Sequence, residues 1–287
     1  MQQTQDMIQR LNKSGNKLSK SHRRIAEYIT QHYDKAVYMT ATRLGEAVSV
    51  SESTVVRFAV AMGYEGYPQL QQSLQELVRH RLTATQRFEM STDIAEKDVL
   101  ATVLKADMQN IRSTIEGIDT DAFLKAVRVI SGAKRIYILG LRSAAPLAEF
   151  AAYYLRYIFD DVRVIAAGSS DVFEAASRVE PGDVLLGISF PRYSSRTIEA
   201  MTFARSRRAQ VIGITDGPMS PLHEAADICL SVRTDMASFV DSMAAPMSVI
   251  NALMVALGLK NKDVLAARFK QLEEVWDAHS VYMNESK

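Results

Sequence analysis

The spacing of apolar residues changes once along this 287-residue chain, and that change constrains the fold more than any other feature. Up to about residue 80, apolar residues recur with the period of an α-helix. After Ala133, short runs rich in β-branched residues alternate with helical stretches, and the runs lie at 135–140, 162–167, 183–189, 210–215 and 227–232. This alternation predicts a parallel sheet with helices on both faces.

The length of the chain suits two domains, since domains commonly run about 100 to 200 residues. We predict an all-α domain over residues 1–80 and an α/β domain over residues 121–287. Between them, residues 81–120 are charged, helical in pattern and free of Gly/Ser-rich runs. This segment is therefore predicted to be a helical linker.

The composition excludes several classes of protein. With 47% hydrophobic and 23% charged residues, the chain is typical of a globular protein. The polar start "MQQTQDMIQR" lacks the apolar core of a signal peptide, which predicts a cytoplasmic location. A lone cysteine, Cys229, cannot form a cysteine-based zinc site, and the sequence has no glycine fingerprint for a dinucleotide. We expect no metal and no cofactor.

The most apolar stretch covers residues 242–259 and has about the length of a short membrane span. Pro246, Ser248 and Asn251 interrupt it. We therefore predict a helix buried in a core or a subunit interface, and no membrane association.

The N-terminal pattern predicts a short helix, a tight turn and a second helix. The short helix covers residues 42–48, with Thr40 as its cap, and the turn covers residues 49–51. Ser51 is placed to cap the second helix, whose apolar face carries Val55, Phe58, Ala59 and Met62. The opposite face carries small, branched and basic side chains: Ser53, Val56, Arg57 and Val60. This is the layout of a helix-turn-helix.

The outward face of the second helix has the chemistry needed to read bases. Arg57 can bridge guanine O6 and N7, Ser53 can donate to bases or phosphate, and Val56 can cover a thymine methyl. Residues 1–80 also carry ten Lys and Arg against seven Asp and Glu. The residues predicted to bind double-stranded DNA are Ser51, Ser53, Thr54, Val56 and Arg57. The alternative is a small helical bundle whose exposed face has no role in DNA binding.

Two loops that follow predicted strands are rich in hydroxyl and guanidinium groups: "GLRSAAP" after the first strand and "SFPRYSSRT" after the third. In parallel sheets, ligands bind beyond the carboxyl ends of the strands, where loops meet helix N-termini. Backbone N–H groups, the helix dipole and a guanidinium favour negative charge there. The residues predicted to bind an anionic effector are Arg142, Ser143, Ser189, Arg192, Ser194, Ser195 and Thr197.

The two halves together resemble the RpiR family of bacterial transcriptional regulators, in which a helix-turn-helix precedes a sugar isomerase (SIS) domain. The resemblance covers nearly the whole chain. It rests on "LSKSHRRIAEYI", "VSVSESTVVRFAVAMGYEGYPQL", "ILGLRSA", "GDVLLGISF", "VIGITDGPMSPLHEAAD" and the late helix after "SFVDS". It implies homodimers or homotetramers that bind palindromic operators and respond to a phosphorylated sugar or a related metabolite.

The loop after the third strand departs from the family pattern. SIS domains usually show a compact Ser-x-Ser-Gly-x-Thr loop, whereas "FPRYSSR" separates Ser189 from Thr197, about three residues longer and without the glycine. The resemblance matches Ser143, Ser189 and Thr197 to ligand-binding positions. The loop residues without a counterpart are Arg192, Tyr193, Ser194 and Ser195. The effector class therefore stays open between a phosphorylated sugar and a sugar acid.

A catalytic role would need a carboxylate base beside the substrate carbons. Asp171, Glu174 and Asp241 are expected near the pocket mouth, and His223, at a helix start, is expected to be structural. Since none of the carboxylates can be placed beside a substrate, we predict a DNA-binding transcriptional regulator, with repression preferred, and no enzyme. The alternative is a sugar-phosphate isomerase that uses its N-terminal helices only for assembly.

Overall fold

A computed structural model describes residues 18–282 except 38, 80–82, 92–93, 166–170 and 237. The chain divides into two compact units, Met1–Asp93 and Ile94–Lys287. The predicted limits of the two domains and the linker, 1–80, 81–120 and 121–287, stay predictions.

The described part of the first unit is helical throughout. Its helices are α1 Lys20–Gln31, α2 Tyr33–Ala36, α3 Ala41–Ala47, α4 Glu52–Ala61, α5 Tyr67–Arg79 and α6 Ala84–Ser91. The predicted cap Thr40 is confirmed, because its hydroxyl accepts a hydrogen bond from the Arg43 N–H at the start of α3. Helices α1, α3 and α5 pack against α4, which places α4 at the centre of this unit. The side chains buried in its core include Ile25, Ile29, Leu44, Val55, Phe58 and Leu70.

One parallel sheet with the strand order β2-β1-β3-β4-β5 forms the centre of the second unit. The strands are β1 Ile136–Gly140, β2 Val162–Ile165, β3 Val184–Ile188, β4 Gln210–Thr215 and β5 Ile228–Ser231. Each strand lies inside the run that predicted it, so the parallel sheet is confirmed. Gly140 pairs with Ile188, and therefore β1 and β3 end side by side.

Helices cover both faces of this sheet. They are α7 Val99–Gly117, α8 Thr120–Ser131, α9 Ala145–Leu155, α10 Val172–Ala176, α11 Ser195–Ser206, α12 Leu222–Ala225, α13 Ala244–Lys260 and α14 Lys262–Ala278. Successive residues of a strand face opposite sides. Ile136 and Ile138 pack with α8, α9 and α13 on one side, whereas Tyr137 and Leu139 pack with α10, α11 and α12 on the other.

Helix α13 accounts for the most apolar stretch of the chain. Its residues Ile250 and Leu253 are fully buried beneath the sheet, as expected for a core helix. Among the described residues no single helix has the length and hydropathy needed to cross a membrane, and α13 with α14 reaches that threshold only as a pair bent by 98°.

Candidate functional site

A close contact between α3 and the following turn shapes the helix-turn-helix. The Val50 N–H donates a 2.8 Å hydrogen bond to the Gly45 carbonyl. A Cβ at Gly45 would lie 2.7 Å from the Val50 oxygen, so only glycine permits this approach. Ser49, in the turn, has a φ of +54°. The predicted turn is confirmed, but the part played by Gly45 was not foreseen.

The two faces of α4 are as predicted. Val55, Phe58, Ala59 and Met62 are buried in the core of the first unit. The residues exposed on the other face are Ser53, Val56, Arg57 and Val60. Substitutions on this outward face therefore leave the apolar core intact.

Hydroxyl and guanidinium groups form one network at the start of α4. The Ser51 hydroxyl lies 3.0 Å from the Ser53 hydroxyl and 2.9 Å from the Thr54 hydroxyl. Arg57 Nη2 donates to Thr54 Oγ1 and its Nε donates to the Ser53 carbonyl, both at 3.3 Å. Ser51 does occupy the N-cap position, but its side chain makes no capping bond to a backbone N–H. Four of the five residues predicted to bind DNA thus form one polar cluster. It lies at the N-terminal end of α4, the helix that reads bases in a helix-turn-helix.

The loops after β1 and β3 lie next to each other because the two strands are paired. Each loop carries an exposed arginine in the left-handed backbone region: Arg142 has a φ of +58° and Arg192 a φ of +67°. Such a backbone costs a residue other than glycine about 1 kcal/mol or more, and the surrounding structure must hold it. Residues in this state occur often in ligand sites.

Glycine also lets α11 approach β3 closely. A Cβ at Gly187 would lie only 2.3 Å from Met201 Sδ. The glycine therefore allows the helix to pack directly on the strand, with its N-terminus at the loop that follows β3. The first backbone N–H groups of a helix have no partner within the helix and favour an anion.

The hydroxyls of the β3 loop differ in their surroundings. The buried Ser189 accepts a 3.4 Å hydrogen bond from the Ser194 N–H, while Ser195 is exposed. Ser194 is the N-cap of α11 but makes no side-chain cap. Thr197 is fully buried, and its hydroxyl has no hydrogen-bond partner within the described residues. A buried hydroxyl without a partner calls for an explanation, and a ligand oxygen is one.

Tyr193 and Asp216 form a contact that sequence reasoning missed. The Tyr193 hydroxyl donates a 2.6 Å hydrogen bond to Asp216 Oδ1, and Thr215 Oγ1 lies 3.1 Å from the same atom. Thr215 in turn bonds to Ser220 at 2.7 Å. The signal was present in the sequence, because "DG", which begins with Asp216, directly follows β4 as "SFPRYSSRT" follows β3.

Two of the three carboxylates expected at the pocket mouth contact the predicted loops. Asp241 Oδ2 accepts a 3.1 Å hydrogen bond from the Ser143 hydroxyl. Asp171 Oδ2 lies 3.5 Å from Arg196, in the first turn of α11. Glu174 instead lines a different cavity, together with Tyr137 and Arg163.

Two further titratable groups, His223 and Cys229, lie near β4 and β5. His223 Nε2 lies 3.3 Å from the Ser231 hydroxyl, and burial lowers the pKa of this histidine, an effect that the Asp216 charge partly offsets. Burial raises the pKa of the Cys229 thiol to about 12, which keeps it protonated at neutral pH. Within the described ranges, no group of three or more candidate metal ligands occurs.

Two family models match the chain over most of its length. The model described as "Helix-turn-helix domain, rpiR family" matches residues 5–80, and the SIS domain model matches residues 129–256. The chain belongs to the RpiR family. The resemblance inferred from the sequence motifs is thereby confirmed, and this RpiR-family protein is a transcriptional regulator that combines a DNA-binding helix-turn-helix with a SIS domain.

Relatives and solved structures match this RpiR-family regulator over much of its length. HexR, an HTH-type transcriptional regulator of Pseudomonas aeruginosa, is 24% identical over 277 residues, which cover 94% of this chain and 95% of HexR. The sugar isomerase domain of an RpiR transcription factor from Sphaerobacter thermophilus aligns with a TM-score of 0.59 and 22% identity, over 62% of this chain and 99% of that domain. Vibrio vulnificus NanR in complex with ManNAc-6P aligns with a TM-score of 0.57 and 20% identity, over 94% and 98% of the two chains.

Proposed function

We propose that this RpiR-family regulator is a repressor that releases its operator when a phosphorylated sugar or a sugar acid binds the loops after β1 and β3. The main observation in support of an effector site is the Thr197 hydroxyl. It is fully buried in the first turn of α11 and has no partner in the described part of the chain. An unpaired buried hydroxyl costs about 1 to 3 kcal/mol, which a ligand oxygen would recover.

The positive charges carried by the loops after β1 and β3 favour an anionic group on the effector. Arg192 and Arg142 supply guanidinium groups from adjacent loops, and the N-terminus of α11 supplies backbone N–H groups. Ser143, Ser189, Ser194 and Ser195 supply further hydrogen-bond donors. The ManNAc-6P bound by NanR supports a phosphorylated sugar as one of the two effector classes.

The DNA-binding part rests on the outward face of α4. Ser51, Ser53, Thr54, Val56 and Arg57 would read one half of a palindromic operator. One recognition helix contacts few base pairs, so a second copy of the chain must bind the other half-site of the operator. A protein that binds chromosomal DNA acts in the cytoplasm of a bacterium.

Exposed apolar surface in the second unit supports assembly into a homodimer or homotetramer. Helix α14 has no buried residue, although it carries Val264, Phe269 and Val275. The neighbouring helix α13 exposes Val255 and Leu259, the latter to 73%. A 17-residue helix with several exposed apolar side chains gains little from packing within one chain, and a second copy would cover them.

A sugar-phosphate isomerase is the second candidate function. The observation in its favour is that the Asp171 and Asp241 carboxylates border the predicted effector loops. A general base must reach a substrate carbon-bound proton. Each of these carboxylates instead contacts a side chain of the site, and the regulator without turnover is therefore preferred.

A gel shift on the protein's own upstream DNA separates the two candidates. The regulator is supported when the protein shifts this DNA and a sugar phosphate or sugar acid reverses the shift. Steady turnover of a sugar phosphate, with no shift at low salt, would favour the isomerase. Low salt is needed because phosphate contacts to DNA weaken steeply as salt rises.

A further inference from the structure

The connection from β5 to α13, described at residues 232–236 and 238–243, contacts both the loop after β1 and helix α7. We call it the β5–α13 strap. Its Asp241 accepts a 3.1 Å hydrogen bond from the Ser143 hydroxyl in the loop after β1. The next residue, Ser242, donates a 2.6 Å hydrogen bond to Asp107 Oδ1 on α7. Two consecutive residues of the strap therefore connect the effector side with α7.

The first half of the strap is held on α7 by buried side chains. The Asn110 amide donates a 2.8 Å bond to the Asp235 carbonyl and accepts a 2.7 Å bond from the Asp235 N–H. Thr114 Oγ1 accepts a 2.9 Å bond from the Arg233 N–H. Asn110 and Thr114 are both buried. The second half of the strap contacts α7 through the hydrogen bond from Ser242 to Asp107, directly after Asp241.

Asp241 and an effector anion would compete for the same hydrogen-bond donor, the Ser143 hydroxyl. A serine hydroxyl has one hydrogen to donate, and in the structure Ser143 donates it to Asp241. An anion that accepts from Ser143 therefore replaces the carboxylate as its partner. The negative charge of Asp241 also opposes an anion placed beside it.

We propose that Asp241 is the effector-sensing residue of this chain, displaced from Ser143 when the anion binds, and that its displacement breaks the Ser242–Asp107 contact on α7. This inference rests on the proposed effector site. In the chain, α7 is the first α-helix of the second unit, and only Ile94, Ala95 and the 3₁₀ turn at Glu96–Asp98 separate it from the boundary with the helix-turn-helix unit. A change at Asp107 therefore acts on α7, the helix through which we infer that the effector alters DNA binding.

Inorganic phosphate is the probe for the competition, titrated at constant ionic strength and followed by calorimetry. Asp241→Asn keeps the size of the side chain and removes its charge, so we expect it to bind phosphate about two- to fivefold more tightly than wild type. Asp235→Asn is the matched control, since it removes the same charge from the same strap but its contacts with Asn110 are through the backbone. Equal phosphate affinity of wild type and Asp241→Asn would overturn the proposal.

Hydrogen exchange gives the second readout. Saturating phosphate is expected to raise amide exchange at residues 238–243 and in the first half of α7 in wild type, and to have no such effect in Ser143→Ala. Unchanged exchange in wild type at saturation contradicts the link to α7.

Arg192→Ala, titrated in parallel, distinguishes a failure of the proposed effector site from a failure of the sensing role of Asp241. When Arg192→Ala binds phosphate as wild type does, or no protein binds it, the proposed effector site fails and the inference fails with it. When Arg192→Ala weakens binding but Asp241→Asn matches wild type, the site stands and only the sensing role of Asp241 is rejected.

Discussion

The Tyr193 hydroxyl donates a 2.6 Å hydrogen bond to the buried carboxylate of Asp216 and thereby ties the loop after β3 to the loop after β4. Tyr193 is adjacent to Arg192, whose left-handed backbone must be held by its surroundings. The contact gives a physical reason why the loop after β3 is longer in this chain than the compact loop usual in SIS domains. The added residues reach a carboxylate on the neighbouring strand end and fix the arginine beside it.

Replacing Tyr193 with Phe tests this tie. The variant leaves a buried carboxylate with one hydrogen bond fewer, so the free energy of unfolding should fall by about 1 to 3 kcal/mol. Effector binding should also weaken, because Arg192 is no longer held. Denaturant unfolding measures the first effect, and Tyr153→Phe, on the exposed surface of α9, is the control. Wild-type stability in Tyr193→Phe would show that the bond contributes nothing.

Thr197→Val should stabilise the unliganded protein and weaken effector binding. The substitution removes a buried hydroxyl that has no partner within the described residues, and so removes a cost of about 1 to 3 kcal/mol. Thr215→Val is the matched control, since Thr215 is equally buried but bonds to Asp216 and Ser220, and its loss should destabilise the protein. Thermal unfolding of both variants gives the comparison. Destabilisation by Thr197→Val to the same degree would mean that its hydroxyl already has a partner.

Arg57→Ala should abolish specific DNA binding without changing the fold. Arg57 is exposed, and its guanidinium donates hydrogen bonds to Ser53 and Thr54 of its own helix. Loss of a bidentate base contact costs about 1 to 3 kcal/mol in each half-site. Arg112→Ala, on an exposed stretch of α7, is the control. Unfolding of Arg57→Ala, or operator affinity equal to that of wild type, would contradict the assignment of Arg57 to the DNA-reading face of α4.

His223 should make stability depend on pH. Burial lowers its folded-state pKa below the ordinary value of 6.5, so the unfolded chain binds a proton more readily. The stabilising contribution is complete above pH 6.5 and decreases as the pH falls towards the folded-state pKa. Wild type should therefore lose more stability than His223→Gln between pH 7 and pH 5, as urea unfolding would show. Parallel stability curves for the two proteins would remove His223 as a source of the dependence.

The periodicity of apolar residues is enough to predict much of this fold. It places Val55, Phe58, Ala59 and Met62 on the buried side of α4, because burial selects apolar residues at helical spacing. It also locates all the strands of the sheet, whose runs are too short and too rich in β-branched residues for helices.

Contacts between residues far apart in sequence could not be predicted in this way. Tyr193 and Asp216 lie on different strand ends, and the pairing of Asn110 with Asp235 joins residues 125 positions apart. Local patterns give the face on which a side chain lies but not the partner across a loop. The hydroxyl of Ser51 shows the same limit on a smaller scale, since it bonds to side chains rather than to the backbone N–H that its position suggests.

The most direct test of effector control is the release of labelled upstream DNA from wild type and Arg192→Ala, followed by fluorescence anisotropy during titration with sugar phosphates and sugar acids. Both proteins should bind the DNA equally without effector. Release from Arg192→Ala should need a higher effector concentration, consistent with a loss of about 1.5 to 3 kcal/mol in effector binding. Arg156→Ala, exposed at the end of α9, should behave as wild type does. Identical release curves for wild type and Arg192→Ala would contradict the proposed effector site.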